Sequence, residues 1–175
     1  MKKKNIKLKI ISEQFDIADE LFTTLVGADG YLSSFDDNVE EKIAPKDKKD
    51  KPESEIMEMT TDAVITDDGE RIEIPYEETE LTGMDGSRTA VSYKKDDTGL
   101  VAMMRDGAVR TALVFEEGRR NICAYETPFM PFELCICTKK VENTLSFEGG
   151  RLYLDYIIEV RGAKAERTKF TLEIM

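Results

Sequence analysis

Residues 105–128, RDGAVRTALVFEEGRRNICAYETP, place glycines, arginines and paired acids close together. Glycines beside arginines are typical of phosphate-binding loops, and two opposed carboxylates can perform acid–base hydrolysis of a glycosidic bond. The pairs Glu77 with Glu78 and Glu116 with Glu117 are adjacent in sequence. Adjacent residues of a strand point to opposite faces, so neither pair by itself forms the opposed carboxylates of a glycosidase. A phosphate loop is also excluded, because the segment predicts strands and turns rather than a helix.

The chain contains no histidine. It therefore cannot supply a Ser-His-Asp or Cys-His catalytic unit, a histidine base or a mixed Cys/His zinc site. The chain has an odd number of cysteines, namely Cys123, Cys135 and Cys137. This number fits reduced thiols in the cytoplasm better than a secreted domain held together by disulfides. Cys135 and Cys137 share one face of a predicted strand, opposite Leu134 and Ile136, which places their thiols outside the main core. With too few ligands for a structural zinc site, we expect no metal and no cofactor.

Length and charge set the class of protein. The 175 residues, of which 41% are hydrophobic, suit one domain spanning residues 1–175. Acidic residues outnumber basic ones by 36 to 25, for a net charge of −11. That charge disfavours nucleic acid or an anionic membrane as a partner. No segment reaches the apolar length of a membrane span. The sequence does not decide whether the protein forms a homo-oligomer.

The N-terminal residues predict a strand. Ile6, Leu8 and Ile10 point to one side and Lys7 and Lys9 to the other, the alternation of a sheet with one solvated face. Lysines interrupt the apolar residues, so the segment does not resemble a signal peptide.

Residues 13–55 interrupt the strand pattern as an insertion. Apolar residues at helical spacing predict one short amphipathic helix over residues 15–26, with Asp16 as its cap and Gly27 at its end. Residues 36–55 mix charges and prolines, which predicts a flexible surface loop. The helix is either a lid packed over the end of a sheet structure or a mobile gate over a ligand cavity.

From residue 56 onward the chain predicts one antiparallel strand after another. Asp67, Asp68 and Gly69 form a tight-turn signal between the first two of them. Strands without helices between them favour an all-β, antiparallel up-and-down barrel of about eight to ten strands with one short inserted helix. The interior of such a barrel is filled by side chains or holds one small ligand. The later strands are predicted at residues 88–93, 100–105, 109–116, 119–126, 132–139, 152–161 and 167–174.

Several motifs occur in a recognisable order. The segments YEETELTGMDGSRTAVSY, GLVAMMRDGAVRTALVFEEGRRNICAYETP and EGGRLYLDYIIEV resemble the bacterial YwiB-like proteins, a family catalogued as a domain of unknown function. The resemblance extends over residues 76–174 and loosely over the first strand. It implies a calycin-like, or lipocalin-like, β-barrel, but it brings no established activity and no catalytic residues. The insertion at residues 13–55 is longer than the resemblance leads us to expect.

Five polar residues are candidates for ligand binding in the barrel. Glu78 follows the inward row of its strand, and Arg105 is the obvious partner for a recessed carboxylate. Together they form either a structural ion pair or a polar anchor for a small anionic ligand. Tyr76 precedes Glu78 in the same row, and Tyr156 is either a core tyrosine or a ligand contact. Tyr125 lies at a strand end, where it either contacts a ligand at the rim or plugs the barrel.

Three functions of different classes follow. The first is a barrel that binds a small or apolar ligand, which the calycin-like resemblance supports by analogy only. The second is a protein-interaction or oligomerisation module with a filled barrel and no ligand site. The third is a histidine-free enzyme, which we place last because no pair of nucleophile and base is visible.

Overall fold

The described part of the chain is a closed barrel of ten antiparallel strands. A computed structural model of the protein describes residues 1–16, 54–82, 86–160 and 166–175. The predicted all-β up-and-down barrel is therefore confirmed. None of the helical segments in the described ranges has the length and apolar content that a membrane-crossing helix needs. The strands are β1 (Lys2–Asp16), β2 (Ser54–Asp67), β3 (Arg71–Glu77), β4 (Arg88–Lys94), β5 (Asp97–Asp106), β6 (Arg110–Glu116), β7 (Arg120–Glu126), β8 (Pro131–Asn143), β9 (Gly150–Val160) and β10 (Glu166–Ile174).

Strand β1 closes the barrel, because it pairs on one side with β2 and on the other with the last strand, β10. The pairing with β10 extends from Leu8 opposite Ile174 to Asp16 opposite Glu166. All other strands pair with their neighbours in sequence. Within the described residues, every strand therefore has a pairing neighbour on each side, and no strand stands at an open end of the sheet.

The predicted helix does not begin at Asp16. Phe15 and Asp16 belong to β1, where Phe15 lies opposite both Ser54 of β2 and Arg167 of β10. Ladder hydrogen bonds on both sides hold this backbone extended, which overrides the local helical spacing of the apolar residues. The remainder of the predicted helix and most of the predicted charged loop lie outside the described residues. Among the residues described, the one helical segment is a single 3₁₀ turn, Glu80–Thr82.

Side chains alternate between the lumen and the surface along the strands. In β1, Leu8 and Ile10 are buried, whereas Lys7 and Lys9 face solvent and pair with acidic residues of β2 at 4.0 and 2.9 Å. Exposed pairs of this kind contribute little stability, so the buried apolar rows provide most of it. The largest fully buried side chains are Phe115, Leu8, Ile10, Ile65, Ile72, Ile74, Ile136, Leu152, Leu154, Leu172, Val91 and Val101.

The hairpin between β2 and β3 follows from its turn residues. Gly69 has a φ of 102°, and its N–H donates to Asp67 Oδ1 at 2.8 Å. Asp68 Oδ1 accepts from the backbone N–H of Arg71 at 2.7 Å. Lys95 Nζ also donates to Asp67, at 2.7 Å to Oδ2, and this hydrogen bond with that of Gly69 lowers the pKa of Asp67 below its usual value. The turn predicted from Asp67, Asp68 and Gly69 is confirmed.

Replacing Gly150 with alanine should destabilise the barrel more than replacing Gly118. Gly150 has a φ of 113°, and an added Cβ would lie 2.1 Å from the carbonyl oxygen of Thr144. Gly118 has a φ of 74°, with nothing within 4 Å of an added Cβ. We expect Gly118→Ala to lower the free energy of unfolding by about 1 kcal/mol through backbone strain alone. Gly150→Ala adds the overlap and should lower it by about 3 kcal/mol. Urea denaturation measures both, and equal losses would contradict this account.

Candidate functional site

A cavity of about 490 Å³ occupies one half of the barrel lumen. It lies at the end where β1, β3, β5, β7 and β9 finish and the strands that follow them begin. Every strand except β4 contributes an inward residue to its described wall. Much of this wall is apolar, as Met57, Met59, Met103, Leu113 and Leu134 illustrate.

The other half of the lumen is packed. Phe115 and Tyr156 lie ring against ring, with centroids 4.8 Å apart and planes tilted by 57°, and Tyr156 also lines the cavity. The Tyr93 hydroxyl donates a hydrogen bond to the carbonyl oxygen of Leu145, which is itself buried in the core. The barrel thus has an apolar, filled end and an end with a cavity.

The polar centre of the cavity is a network of three residues from three strand ends. Arg105 at the end of β5 donates from Nη2 to Glu78 Oε1 at 3.2 Å and from Nε to Thr89 Oγ1 at 3.1 Å. The Thr89 hydroxyl, at the start of β4, in turn donates to the same Glu78 Oε1. The predicted pairing of Glu78 with Arg105 is therefore present.

Strand pairing explains why this network forms here. The inward row of β3 continues through Pro75 to Tyr76 and then Glu78, whose N–H donates to Ser87 O at 2.8 Å just beyond the strand. Thr89 lies opposite Arg105 in the ladder between β4 and β5. The side chains of Glu78 and Arg105 are 2% and 14% exposed, so both charges are largely removed from solvent. Burial of a charge at this depth requires the opposite charge beside it.

Two tyrosines add neutral hydroxyls to the cavity wall. Burial raises the pKa of Tyr76, and the nearby negative charge of Glu78 raises it further. Burial also raises the pKa of Tyr156, to about 12, against smaller opposing effects of the Arg105 charge and a hydrogen bond with Thr168. Both phenols therefore stay protonated at neutral pH and are available as hydrogen-bonding groups.

The five residues predicted from the sequence line this one cavity. Tyr125, the fifth, lies at the end of β7 opposite Thr111 of β6 and is partly buried against the core. Sequence reasoning missed Thr89, Thr168 and Ser12, of which the last two also line the cavity. Each of the three lies in an inward row that is otherwise largely apolar, and this is the pattern that could have revealed them.

The cysteines lie where strand alternation predicts. Leu134 and Ile136 join the core, whereas Cys135 and Cys137 face the outside of the barrel, where both are nevertheless buried. All three cysteines are free thiols. Within the described ranges, no three Cys, Asp or Glu residues come together in a way that could hold a metal ion.

The described residues define a class: a closed, ten-stranded antiparallel β-barrel with a largely apolar cavity, and one buried ion pair in it, in one half of the lumen. Residues 42–172 match the model of a family described as a domain of unknown function, DUF1934, and the chain belongs to that family. It is 28% identical over 110 residues to the uncharacterized β-barrel protein YwiB of Bacillus subtilis (strain 168). The matched region covers 56% of this chain and 78% of that protein. The resemblance to YwiB-like proteins is confirmed.

A solved structure shares the same fold. The crystal structure of the ywiB protein from Bacillus subtilis matches with a TM-score of 0.63 and 19% sequence identity. The match covers 98% of this chain and 93% of that chain. At this level of identity the similarity establishes the barrel fold alone.

Arg105→Met should lower the free energy of unfolding by about 3 kcal/mol, because the buried Glu78 carboxylate then has no cationic partner. The double variant Arg105→Met with Glu78→Gln should recover most of that loss. The pair Arg110 and Asp106, with side chains 68% and 80% exposed, is the control, and Arg110→Met should change stability little. Denaturant titration measures all three variants. Similar losses for Arg105→Met and Arg110→Met would show that the inner pair is not effectively buried.

Tyr156 gives the barrel a pH dependence at the alkaline end. Its folded-state pKa of about 12 lies above the ordinary value of 10, so the folded state holds a proton that the unfolded state releases. The stability that this provides is complete below pH 10 and is lost as the pH rises from 10 toward 12. Tyr156→Phe should therefore flatten the alkaline decline in unfolding free energy, measured by denaturant titration at increasing pH. An unchanged decline would place the cause elsewhere.

Proposed function

We propose that the barrel binds a small molecule with an apolar body in the cavity at one end of its lumen. The observation that carries this proposal is a cavity of about 490 Å³ with a mostly apolar wall and one buried ion pair. Ligand sites in proteins have this size and this combination of apolar walls with few polar groups. Tyr76, Glu78, Arg105, Tyr125 and Tyr156 are the residues that we propose contact the ligand.

Binding is a better proposal than catalysis for this arrangement. Arg105 and Thr89 hold the Glu78 carboxylate, so it is stabilised as a charged acceptor rather than set beside a nucleophile that it could activate. The tyrosine hydroxyls are kept neutral by burial, which suits hydrogen bonding and opposes their use as nucleophiles at neutral pH.

A protein-interaction or oligomerisation module is the second candidate. It is favoured by apolar side chains on the outer surface, where Met104 is 58%, Ile122 69% and Phe129 95% exposed. The packed half of the lumen also fits a barrel that serves as a scaffold. For either function we expect a cytoplasmic location, which the three free thiols support.

Native mass spectrometry of freshly purified protein tests the binding function. We expect a retained small molecule on the wild-type chain and less of it on Met103→Trp, because the larger side chain takes up part of the cavity that Met103 lines. The control is Met104→Trp, one residue further along β5, where the side chain is 58% exposed on the outer surface. This variant should retain the molecule.

The outcomes separate the candidates. Circular dichroism must first verify that the Met103→Trp variant is folded, because a larger side chain in the lumen can force its neighbours to shift. Retention by the folded Met103→Trp variant as strongly as by wild type would contradict binding in the lumen. A dimer mass with no retained molecule, in wild type and in Met103→Trp, would instead favour the oligomerisation module.

A further inference from the structure

The ion pair in the cavity is incomplete. Arg105 reaches Glu78 through a single contact, from Nη2 to Oε1 at 3.2 Å, and the Thr89 hydroxyl donates to that same oxygen. Among the described residues, neither Glu78 Oε2 nor Arg105 Nη1 has a hydrogen-bond partner. Both residues line the cavity.

A second buried ion pair in the same barrel has the complete geometry, with two hydrogen bonds between its partners. On the outer surface of β9 and β10, Arg167 donates from Nε to Asp155 Oδ1 at 2.9 Å and from Nη2 to Oδ2 at 2.7 Å. Both carboxylate oxygens are used, as in the bidentate geometry that arginine favours. The pair in the cavity departs from this geometry, and it leaves one acceptor and one donor unused on two residues that line the cavity.

The two unused groups restrict the chemistry of a matching ligand. A carboxylate brings only acceptors, so it satisfies Arg105 but places a second negative charge beside Glu78. An ammonium brings only donors, so it satisfies Glu78 but places a second positive charge beside Arg105. Either one adds a third charge to a site where the existing two already balance. A group with one N–H and one carbonyl side by side satisfies both residues without adding charge.

Building on the proposed function, we infer that the cavity selects a neutral carboxamide or lactam, with its N–H donated to Glu78 and its carbonyl accepting from Arg105. The apolar part of the molecule then lies against Met57, Met103 and Leu113. Two more carboxylates line the cavity: Glu55 is exposed, and Glu166 is partly exposed and accepts a hydrogen bond from the Thr168 hydroxyl at 3.3 Å. Neither reverses this selection, because solvent screens charges that are exposed to it.

Three probes with one hydrocarbon chain and different head groups test the inference: octanamide, octanoate and octylamine. Isothermal titration of each into the full-length protein at neutral pH should give an affinity for octanamide about tenfold or more above that for the other two. In Glu78→Gln, the guanidinium loses its counter-charge, so octanoate should gain and the preference for octanamide should disappear. Met103→Trp narrows the cavity and should weaken binding of all three, whereas Met104→Trp, on the outer surface, should leave it unchanged.

The ranking in the wild-type protein tests the head group, and the Met103→Trp variant tests the location of binding. If octanoate or octylamine binds as tightly as octanamide, the inference about the head group is wrong while binding in the cavity stands. If none of the three binds, both the inference and the proposed function are overturned. If folded Met103→Trp binds all three probes as tightly as the wild-type protein does, the probes occupy another site and the inference is overturned as well.

Discussion

The structure depends on closure of the sheet by β1, which pairs with β2 on one side and with β10 on the other. Closure gives every strand two neighbours and turns the alternation of side chains into a division between lumen and surface. The cavity follows from the same constraint, since its described wall is assembled from inward residues of every strand except β4. Opening the junction between β1 and β10 would separate Ile10 from Thr168 and Phe170, which face the cavity from the two sides of that junction.

Strand alternation made much of the fold predictable. Two apolar rows are buried in the barrel as the sequence pattern predicts: Ile6, Leu8 and Ile10 in β1, and Ile72 and Ile74 in β3. The helix predicted over residues 15–26 failed at its first residues because local spacing cannot register the pairing of Phe15 with two strands. Tertiary contacts outweigh local propensity at such a junction.

The candidate site was predictable in part, for a related reason. Alternation identifies Glu78, Arg105 and Tyr156 as inward, and charge suggests that the first two meet. It does not reveal Thr89, because the ladder register that sets this hydroxyl opposite Arg105 is absent from the sequence. Sequence also does not distinguish a filled lumen from a hollow one. Whether the lumen is filled depends on how side chains from different strands pack against each other inside it, as Phe115 and Tyr156 do next to the cavity.

The two halves of the lumen have different physical roles. The packed half buries large apolar side chains such as Phe115, Leu152 and Leu172, and burial of this kind dominates the stability of a domain. A buried ion pair adds little stability compared with apolar residues of the same volume, so Glu78 and Arg105 are not what holds the barrel closed. Because the packed half supplies most of the stability, the half with the cavity can contain an ion pair whose hydrogen bonding is incomplete. β4 lies between β3 and β5, so Glu78, just beyond the end of β3, and Arg105 of β5 meet across Thr89 of β4, which is hydrogen-bonded to both.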